Sequence, residues 1–94
     1  MTDDVDMRRR RARYRARHRG TKEMDYMIGR FADAKVPQLS GPDLSRFERF
    51  IEVPDPLLHA WCFDSGGEVA AEFEDLVLGV RAFHGLSGNA RTGG

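Results

Sequence analysis

The chain has 94 residues, 40% of them hydrophobic and 32% charged, with a formal net charge of zero, which excludes two full domains and a wholly disordered chain. Its single cysteine, Cys62, excludes an intramolecular disulfide and a metal site built from paired cysteines. No window holds the run of about 18 apolar residues that spans a bilayer, and no apolar signal segment follows the first arginines, so we expect a soluble, cytoplasmic protein.

Five short helical patterns and no convincing period-two alternation predict an all-α fold, a small single-domain bundle of about five short helices. We expect residues 1–5 to be a disordered N-terminus, residues 6–85 the helical domain and residues 86–94 a flexible tail. The first helix, from about Asp6 to His18, has few apolar residues, so the stems of its arginines must supply part of its packing.

Gly20 is predicted to close the first helix, because glycine readily adopts the left-handed conformation that ends helices. The second helix runs from about Lys22 to Ala34 and carries apolar residues at i, i+3, i+4 and i+7, a pattern typical of a buried stripe. Glu23 lies in its first turn, where a carboxylate is favoured. The predicted stripe consists of Met24, Met27, Ile28 and Phe31.

The third and fourth helices are each predicted to begin with a capping residue that is followed by proline. Ser40 caps the third helix, and Asp55 caps the fourth with Pro56 as its first helical residue. The fifth helix runs from about Val69 to Phe83. The predicted core residues of these three helices are Leu44, Phe47, Phe50, Ile51, Leu57, Leu58, Trp61, Phe73, Leu76, Val77, Val80 and Phe83.

The chain has three histidines besides Cys62, and His59 with Cys62 forms an i, i+3 pair that would suit a metal or a nucleophile. Zinc sites usually need four ligands at recognisable spacing, and there is no second cluster, so Cys62 is interpreted as a small buried hydrophobic residue. The chain also lacks a phosphate-binding loop, a dinucleotide fingerprint and a nucleophile elbow. We therefore predict that the protein is not an enzyme and holds no metal.

The charges are segregated along the chain. Eight arginines lie between Arg8 and Arg19, whereas the stretch from Asp43 to Asp75 holds nine acidic residues against two arginines. Such a basic helix can bind a nucleic-acid backbone, pair with the acidic half of its own chain, or meet an acidic protein surface. Zero net charge and the lack of a recognition-helix motif argue against nucleic acid. Nucleic-acid binding and a toxin-neutralising regulatory role stay the alternatives.

The stretch "RGTKE" fits the pattern R-G-x-x-E and lies within "RYRARHRGTKEMDYMIGRFAD", where a basic helix precedes the motif and "MD" with an apolar helix follows. Farther on, "LSGPDLSRFERFIEVPDPLLHAW" contains an "LS" cap, an apolar helix, "DP" and a tryptophan. In this order of motifs, from about Arg8 to Phe83, the chain resembles the SdhE-type FAD assembly factors. These are small helical proteins that help attach FAD covalently to the flavoprotein subunit of succinate dehydrogenase.

The resemblance implies an assembly factor that binds the immature flavoprotein and aligns its histidine with FAD, which the client and not this protein holds. Because no transit segment is evident, we expect a bacterial cytoplasmic location, although the family has mitochondrial members. Fumarate reductase is a second candidate client, and neither nucleic acid nor a membrane is an expected partner. The first helix is richer in arginine than is usual in the family, so its contacts cannot be carried over. The implied partner-binding residues are Arg19, Gly20, Glu23, Asp25, Asp55 and Pro56.

The same letters also have an explanation that needs no partner. Gly20 could be needed to end the first helix, and Glu23 could stabilise the N-terminus of the second. Folding alone would then account for the motif. The sequence therefore leaves open how much of the motif serves the fold and how much serves a partner.

Overall fold

The computed structural model describes residues 2–64 and 68–86, with side chains described from residue 4 onward. The five α-helices are Thr2–Arg17 (α1), Lys22–Lys35 (α2), Gly41–Phe50 (α3), Asp55–Phe63 (α4) and Glu74–Phe83 (α5). Short 3₁₀ helices follow α2 at Val36–Gln38 and precede α5 at Ala71–Phe73. Because these residues include no strand, the predicted all-α class with five helices is confirmed. None of the described helices is both long enough and apolar enough to cross a membrane.

The contacts within the chain divide it into two compact units, one ending at Glu52 and the other beginning at Val53. Helices α1, α2 and α3 build the first unit, and α4 and α5 build the second. Helix α1 begins at Thr2, earlier than predicted, and so includes residues 2–5 that were predicted to be disordered. Acidic side chains are favoured near a helix N-terminus, and Asp4 is such a residue in the first turn of α1. Most of the predicted tail, residues 87–94, lies outside the described residues.

Among the side chains of α1 that the structure describes, only small ones are buried in the core of the first unit. Ala12 and Ala16 are buried, whereas the larger Met7 and Tyr14 are more than half exposed. Its main partner, α2, approaches it closely at Gly29, where an added Cβ would lie 2.9 Å from Arg17 Cγ and 3.1 Å from Arg17 Cα. Close packing of these two helices therefore depends on a position without a side chain.

Replacing Gly29 by alanine is expected to lower the free energy of unfolding by about 1–2 kcal/mol, the cost of overpacking less the gain in helix propensity. The atoms it would meet are backbone and inner side-chain carbons of Arg17, which cannot swing away as a chain end would. Urea denaturation followed by circular dichroism measures the change, with Lys35→Ala at an exposed end of α2 as control. Equal stabilities of Gly29→Ala and wild type would show that the helices separate without cost.

The core between α2 and α3 agrees with the predicted stripes. The Phe47 ring lies 6.4 Å from the Phe31 ring and 6.0 Å from the Phe50 ring, measured between centroids, so aromatic contacts join the two helices. Ser40 is the N-cap of α3 as predicted, although its side chain accepts no capping hydrogen bond. The buried residues of the two predicted stripes are Met24, Met27, Ile28, Phe31, Leu44, Phe47, Phe50 and Ile51.

Arginines join α1 to α3. Arg8 binds Glu48 with both ends of its fork, Nη2 to Oε1 at 2.6 Å and Nε to Oε2 at 3.0 Å, and Arg15 forms an ion pair with Glu52. The hydrogen bond from Arg8 holds the pKa of Glu48 below its ordinary value. Part of the basic helix is therefore paired with acidic residues of its own chain, one of the three roles that the charge pattern allowed.

In the second unit, the indole of Trp61 is fixed between neighbouring elements. Its Nε1 donates to the Glu68 carbonyl at 3.0 Å, and its ring lies 6.1 Å from the Phe73 ring. Arg81 of α5 donates to the Cys62 carbonyl of α4 at 2.6 Å, which joins the two helices. The buried residues of this unit that were predicted for the core are Leu58, Trp61, Phe73, Leu76, Val77 and Val80.

Two residues predicted for the core are exposed, so those predictions are wrong. Leu57 is 46% exposed, because the buried side of α4 is set by Leu58, Trp61 and Cys62 at i, i+3 and i+4, and Leu57 lies about 100° around the helix from Leu58. Phe83 is 49% exposed, since it is the last residue of α5. Its ring lies 5.0 Å from that of His84, with the two planes nearly perpendicular.

The starts of α4 and α5 also differ from the prediction. Pro54 is the N-cap of α4, and Asp55 is its first helical residue, since the extended conformation at Pro54 ends the preceding turn. Helix α5 begins at Glu74 and not near Val69, because Ala71–Phe73 adopts the tighter 3₁₀ turn that often precedes an α-helix.

Candidate functional site

Four of the six predicted partner-binding residues lie where α1 turns into α2. Helix α1 ends at Arg17 and α2 begins at Lys22, and we call residues 18–25, which include the first turn of α2, the corner. The prediction that Gly20 closes α1 is wrong, because the helix ends three residues earlier and Gly20 lies within the bend. Its φ of 122° is a backbone conformation that residues with a side chain rarely adopt, so glycine is required for the bend itself.

The carboxylate of Asp25 holds this bend in place. Its Oδ1 accepts hydrogen bonds from the backbone N–H of Arg19 and from that of Gly20, the second at 3.3 Å. Both donors belong to residues outside the helices and would otherwise need water or another acceptor. Asp25 is half-buried and directed at its own backbone, so its position alone explains a folding role.

The first turn of α2 is also stabilised by an N-cap that was not predicted. Thr21 is the N-cap, and its Oγ1 accepts from the backbone N–H of Met24 at 3.2 Å. A threonine directly before the apolar stripe is the usual signal of such a cap, and it was present in the sequence. Thr21 and Asp25 together satisfy backbone donors on both sides of the helix start.

Arg19 joins the corner to the far end of α3. Its side chain is half-buried, and its Nη1 donates to the backbone carbonyl of Ile51, the C-cap of α3. A cation is favoured at the negative end of a helix dipole, so this contact stabilises both elements. The carbonyl of Ile51 is a part of the site that no sequence pattern indicated, because the two residues are 32 positions apart.

Gly20 and Glu23 form the exposed side of the corner. Both are solvent-exposed, with Glu23 in the first turn of α2. The backbone at Gly20 has no side chain to cover it, and the carboxylate of Glu23 lies three residues farther along the chain. Chemically, this arrangement allows a partner to approach the backbone closely and to donate hydrogen bonds to a carboxylate.

The other two predicted residues, Asp55 and Pro56, lie in the second unit, where they are the first two residues of α4. Asp55 is half-buried and Pro56 is exposed. An acidic residue in the first turn of a helix is favoured by the helix dipole, which accounts for Asp55 within its own unit. The structure therefore gathers Arg19, Gly20, Glu23 and Asp25 at one corner.

The alternative metal or nucleophile site at His59 and Cys62 gains no support from the geometry. Cys62 is buried, and burial raises the pKa of its thiol to about 11, so the thiol is almost fully protonated near neutral pH. The ring of His59 lies 4.4 Å from that of Phe63. Among the described residues, no three potential metal ligands gather at one point. The interpretation of Cys62 as a small buried hydrophobic residue is confirmed.

Comparison with known proteins gives a consistent set of relatives. The family model described as flavinator of succinate dehydrogenase matches residues 10–84. The chain is 43% identical over 61 residues to the FAD assembly factor SdhE of Acetobacter pasteurianus, which covers 65% of this chain and 56% of that protein. It is 28% identical over 81 residues to the mitochondrial succinate dehydrogenase assembly factor 2 of Dictyostelium discoideum, covering 86% and 57%.

A third relative is the FAD assembly factor SdhE of Coxiella burnetii, 28% identical over 63 residues, covering 67% of this chain and 77% of that protein. The chain spans little more than half the length of the Acetobacter and Dictyostelium proteins. No solved structure matches the chain.

Proposed function

Because the chain belongs to the family of flavinators of succinate dehydrogenase, we propose that it is an assembly factor that promotes covalent flavinylation of the succinate dehydrogenase flavoprotein. It binds the immature flavoprotein subunit and leaves once FAD is attached. Three relatives support this proposal by name, two as FAD assembly factors and one as a succinate dehydrogenase assembly factor. FAD is carried by the client, and the protein itself is not the catalyst.

The site proposal depends on one observation at the corner: two of its residues are exposed, and two others bind groups of the protein itself. Gly20 and Glu23 meet the client, since both are exposed. Arg19 and Asp25 do not contact the client but hold the corner in shape. The Arg19 side chain binds the Ile51 carbonyl, and the Asp25 carboxylate binds the backbone of the bend. This divides the residues of the R-G-x-x-E motif into two that contact the client and one that fixes the corner.

In this mechanism the assembly factor orients the flavoprotein, and the reacting groups all belong to the flavoprotein. The client backbone approaches Gly20, and donors of the client bind Glu23, which gives the complex one orientation. Holding the reacting histidine and the flavin of the client in a productive arrangement lowers the barrier by proximity, without any reacting group on the assembly factor. Since the factor must then leave, a small and polar contact suits its task.

The proposed location is a bacterial cytoplasm, supported by the relatives in Acetobacter and Coxiella. The flavoprotein of fumarate reductase stays a second candidate client.

In-gel fluorescence of covalently bound flavin tests the function directly. In cells that lack the protein, fluorescence of the succinate dehydrogenase flavoprotein is expected to fall, and to return with wild type but not with Glu23→Ala. Glu74→Ala is the matched control, because Glu74 is also an exposed acid in the first turn of a helix, in the second unit. Full fluorescence without the protein would contradict the proposed function, and recovery with Glu23→Ala would contradict the role of Glu23.

A further inference from the structure

Four arginines of α1 form two pairs that differ in their contacts. Arg8 and Arg15 form ion pairs with acidic residues of α3 and of the turn that follows it. Arg10 and Arg13 form no ion pair or hydrogen bond with any described residue, and Arg10 is exposed. Arg8 and Arg15 therefore stabilise the fold through ion pairs, whereas Arg10 and Arg13 make no such contribution.

Arg10 and Arg13 share one face of α1 with Tyr14 and Arg17. Positions 10, 13, 14 and 17 recur at i, i+3, i+4 and i+7, so they share a side of the helix, and His18 follows directly after its last residue. Together with Asp33 of α2 they line a shallow cleft of about 460 Å³. We call this the basic face. Its members are Arg10, Arg13, Tyr14 and Arg17 of α1, His18 directly after the helix, and Asp33.

The basic face includes an exposed aromatic ring held in a defined position. Tyr14 is 62% exposed, and its ring stacks on that of His18 with centroids 4.1 Å apart and planes inclined by 19°. Nδ1 of His18 lies 3.1 Å from the Tyr14 carbonyl, which further orders the pair. An ordered, exposed ring beside cationic groups is a composition typical of interaction surfaces.

The basic face continues to the corner. Arg17 and Asp33, which form an ion pair at 3.3 Å, also line a second cleft of about 290 Å³. That cleft includes Tyr26, with the Arg30 guanidinium 5.1 Å from the centre of its ring. It also includes Lys22 and the corner residue Asp25. Basic and aromatic groups therefore extend without a break from Arg10 to the corner.

We propose that the basic face binds an acidic segment of the client flavoprotein while the corner meets the client at Gly20. The inference rests on the proposed function, because it assigns the same partner to both surfaces. Guanidinium groups without an acceptor attract carboxylates, and the arginine fork binds them with two hydrogen bonds. The charges of Arg10 and Arg13 steer the client toward the corner and orient it on arrival.

The composition of the cleft favours a protein segment over a nucleic acid. One side of the Tyr14 ring is covered by His18, which leaves less ring surface for stacked bases. Zero net charge of the whole chain also disfavours general attraction to a polyanion.

Surface plasmon resonance on the immobilised immature flavoprotein tests the inference, with full-length wild type, Arg13→Glu and Lys35→Glu as analytes. The two variants change the net charge equally, and Lys35 is exposed at the end of α2 and does not line the basic face. Arg13→Glu is expected to slow association about tenfold at low salt, an effect that shrinks at high salt. Lys35→Glu is expected to associate at close to the wild-type rate.

The outcomes separate this inference from the proposed function. If wild type does not bind the flavoprotein, both are overturned. If Gly20→Arg loses binding while Arg13→Glu and Lys35→Glu associate equally fast, only the basic-face inference is overturned. Binding of a labelled single-stranded DNA that Arg13→Glu abolishes, with client binding unchanged, would also overturn it and assign the face to nucleic acid. Circular dichroism of each variant verifies the helical fold.

Discussion

A Gly20→Arg variant is expected to keep its helices and to lose binding to the client flavoprotein. Gly20 has a φ of 122°, so any side chain strains the bend by about 1–3 kcal/mol. The position is exposed and lies between two helices, so the strain is confined to the connection. The change of function comes from the surface, because a long cationic side chain then stands where the client approaches the backbone.

Gly85→Arg is the matched control for this prediction. Gly85 also has a positive φ, 75°, it is exposed just beyond α5, and a Cβ added there meets no atom within 4 Å. Both variants therefore introduce backbone strain and one positive charge, but only Gly20→Arg places them at the corner. Thermal melts by circular dichroism are expected to show similar losses, about 4–8 °C for each kcal/mol.

Surface plasmon resonance then separates strain from contact. Binding to the flavoprotein is expected to disappear with Gly20→Arg and to persist with Gly85→Arg. Normal binding by a folded Gly20→Arg protein would remove the corner from the interface. Equal loss with both variants would mean that reduced stability, and not the lost surface, explains the effect.

The parts of the fold that were predicted correctly depend on residues close together in sequence. The buried stripes of α2 and α3 follow from a spacing of three and four residues, which the chain alone displays. The errors fall where tertiary packing decides. Leu57 and Leu58 are adjacent and equally apolar, and only the direction of α4 within its unit determines that Leu58 is the buried one.

The residues of the motif lie at the connection between α1 and α2, where the sequence predicted a helix boundary, but the contacts that hold this connection were not predicted. Arg19 binds a carbonyl that is 32 residues distant, and such a contact has no local signature. Asp25 lies five and six residues after the backbone groups it binds, outside the spacing of helix capping patterns. Thr21 has a local signature, because it is a capping residue that directly precedes the apolar stripe of α2.

An Asp25→Ala variant is expected to lower the free energy of unfolding by about 2 kcal/mol, because it removes a charged acceptor shared by two backbone donors. Asp25→Asn keeps an oxygen acceptor and is expected to lose less than half as much. Asp43→Ala is the control, since Asp43 is an exposed acid in the first turn of α3, and its loss is expected to cost under about 1 kcal/mol. Urea denaturation measures all three.

Amide hydrogen exchange shows whether Asp25 stabilises the bend or contacts the client. If Asp25 holds the bend, the amides of Arg19 and Gly20 exchange faster in Asp25→Ala, while those of the core of α2 stay protected. Client binding then weakens in proportion to this loosening, and Asp25→Asn restores part of both. Unchanged exchange at the two amides together with lost client binding would assign Asp25 to the interface, with Gly20 and Glu23. The corner would then depend on the contact of Arg19 with the Ile51 carbonyl for its shape.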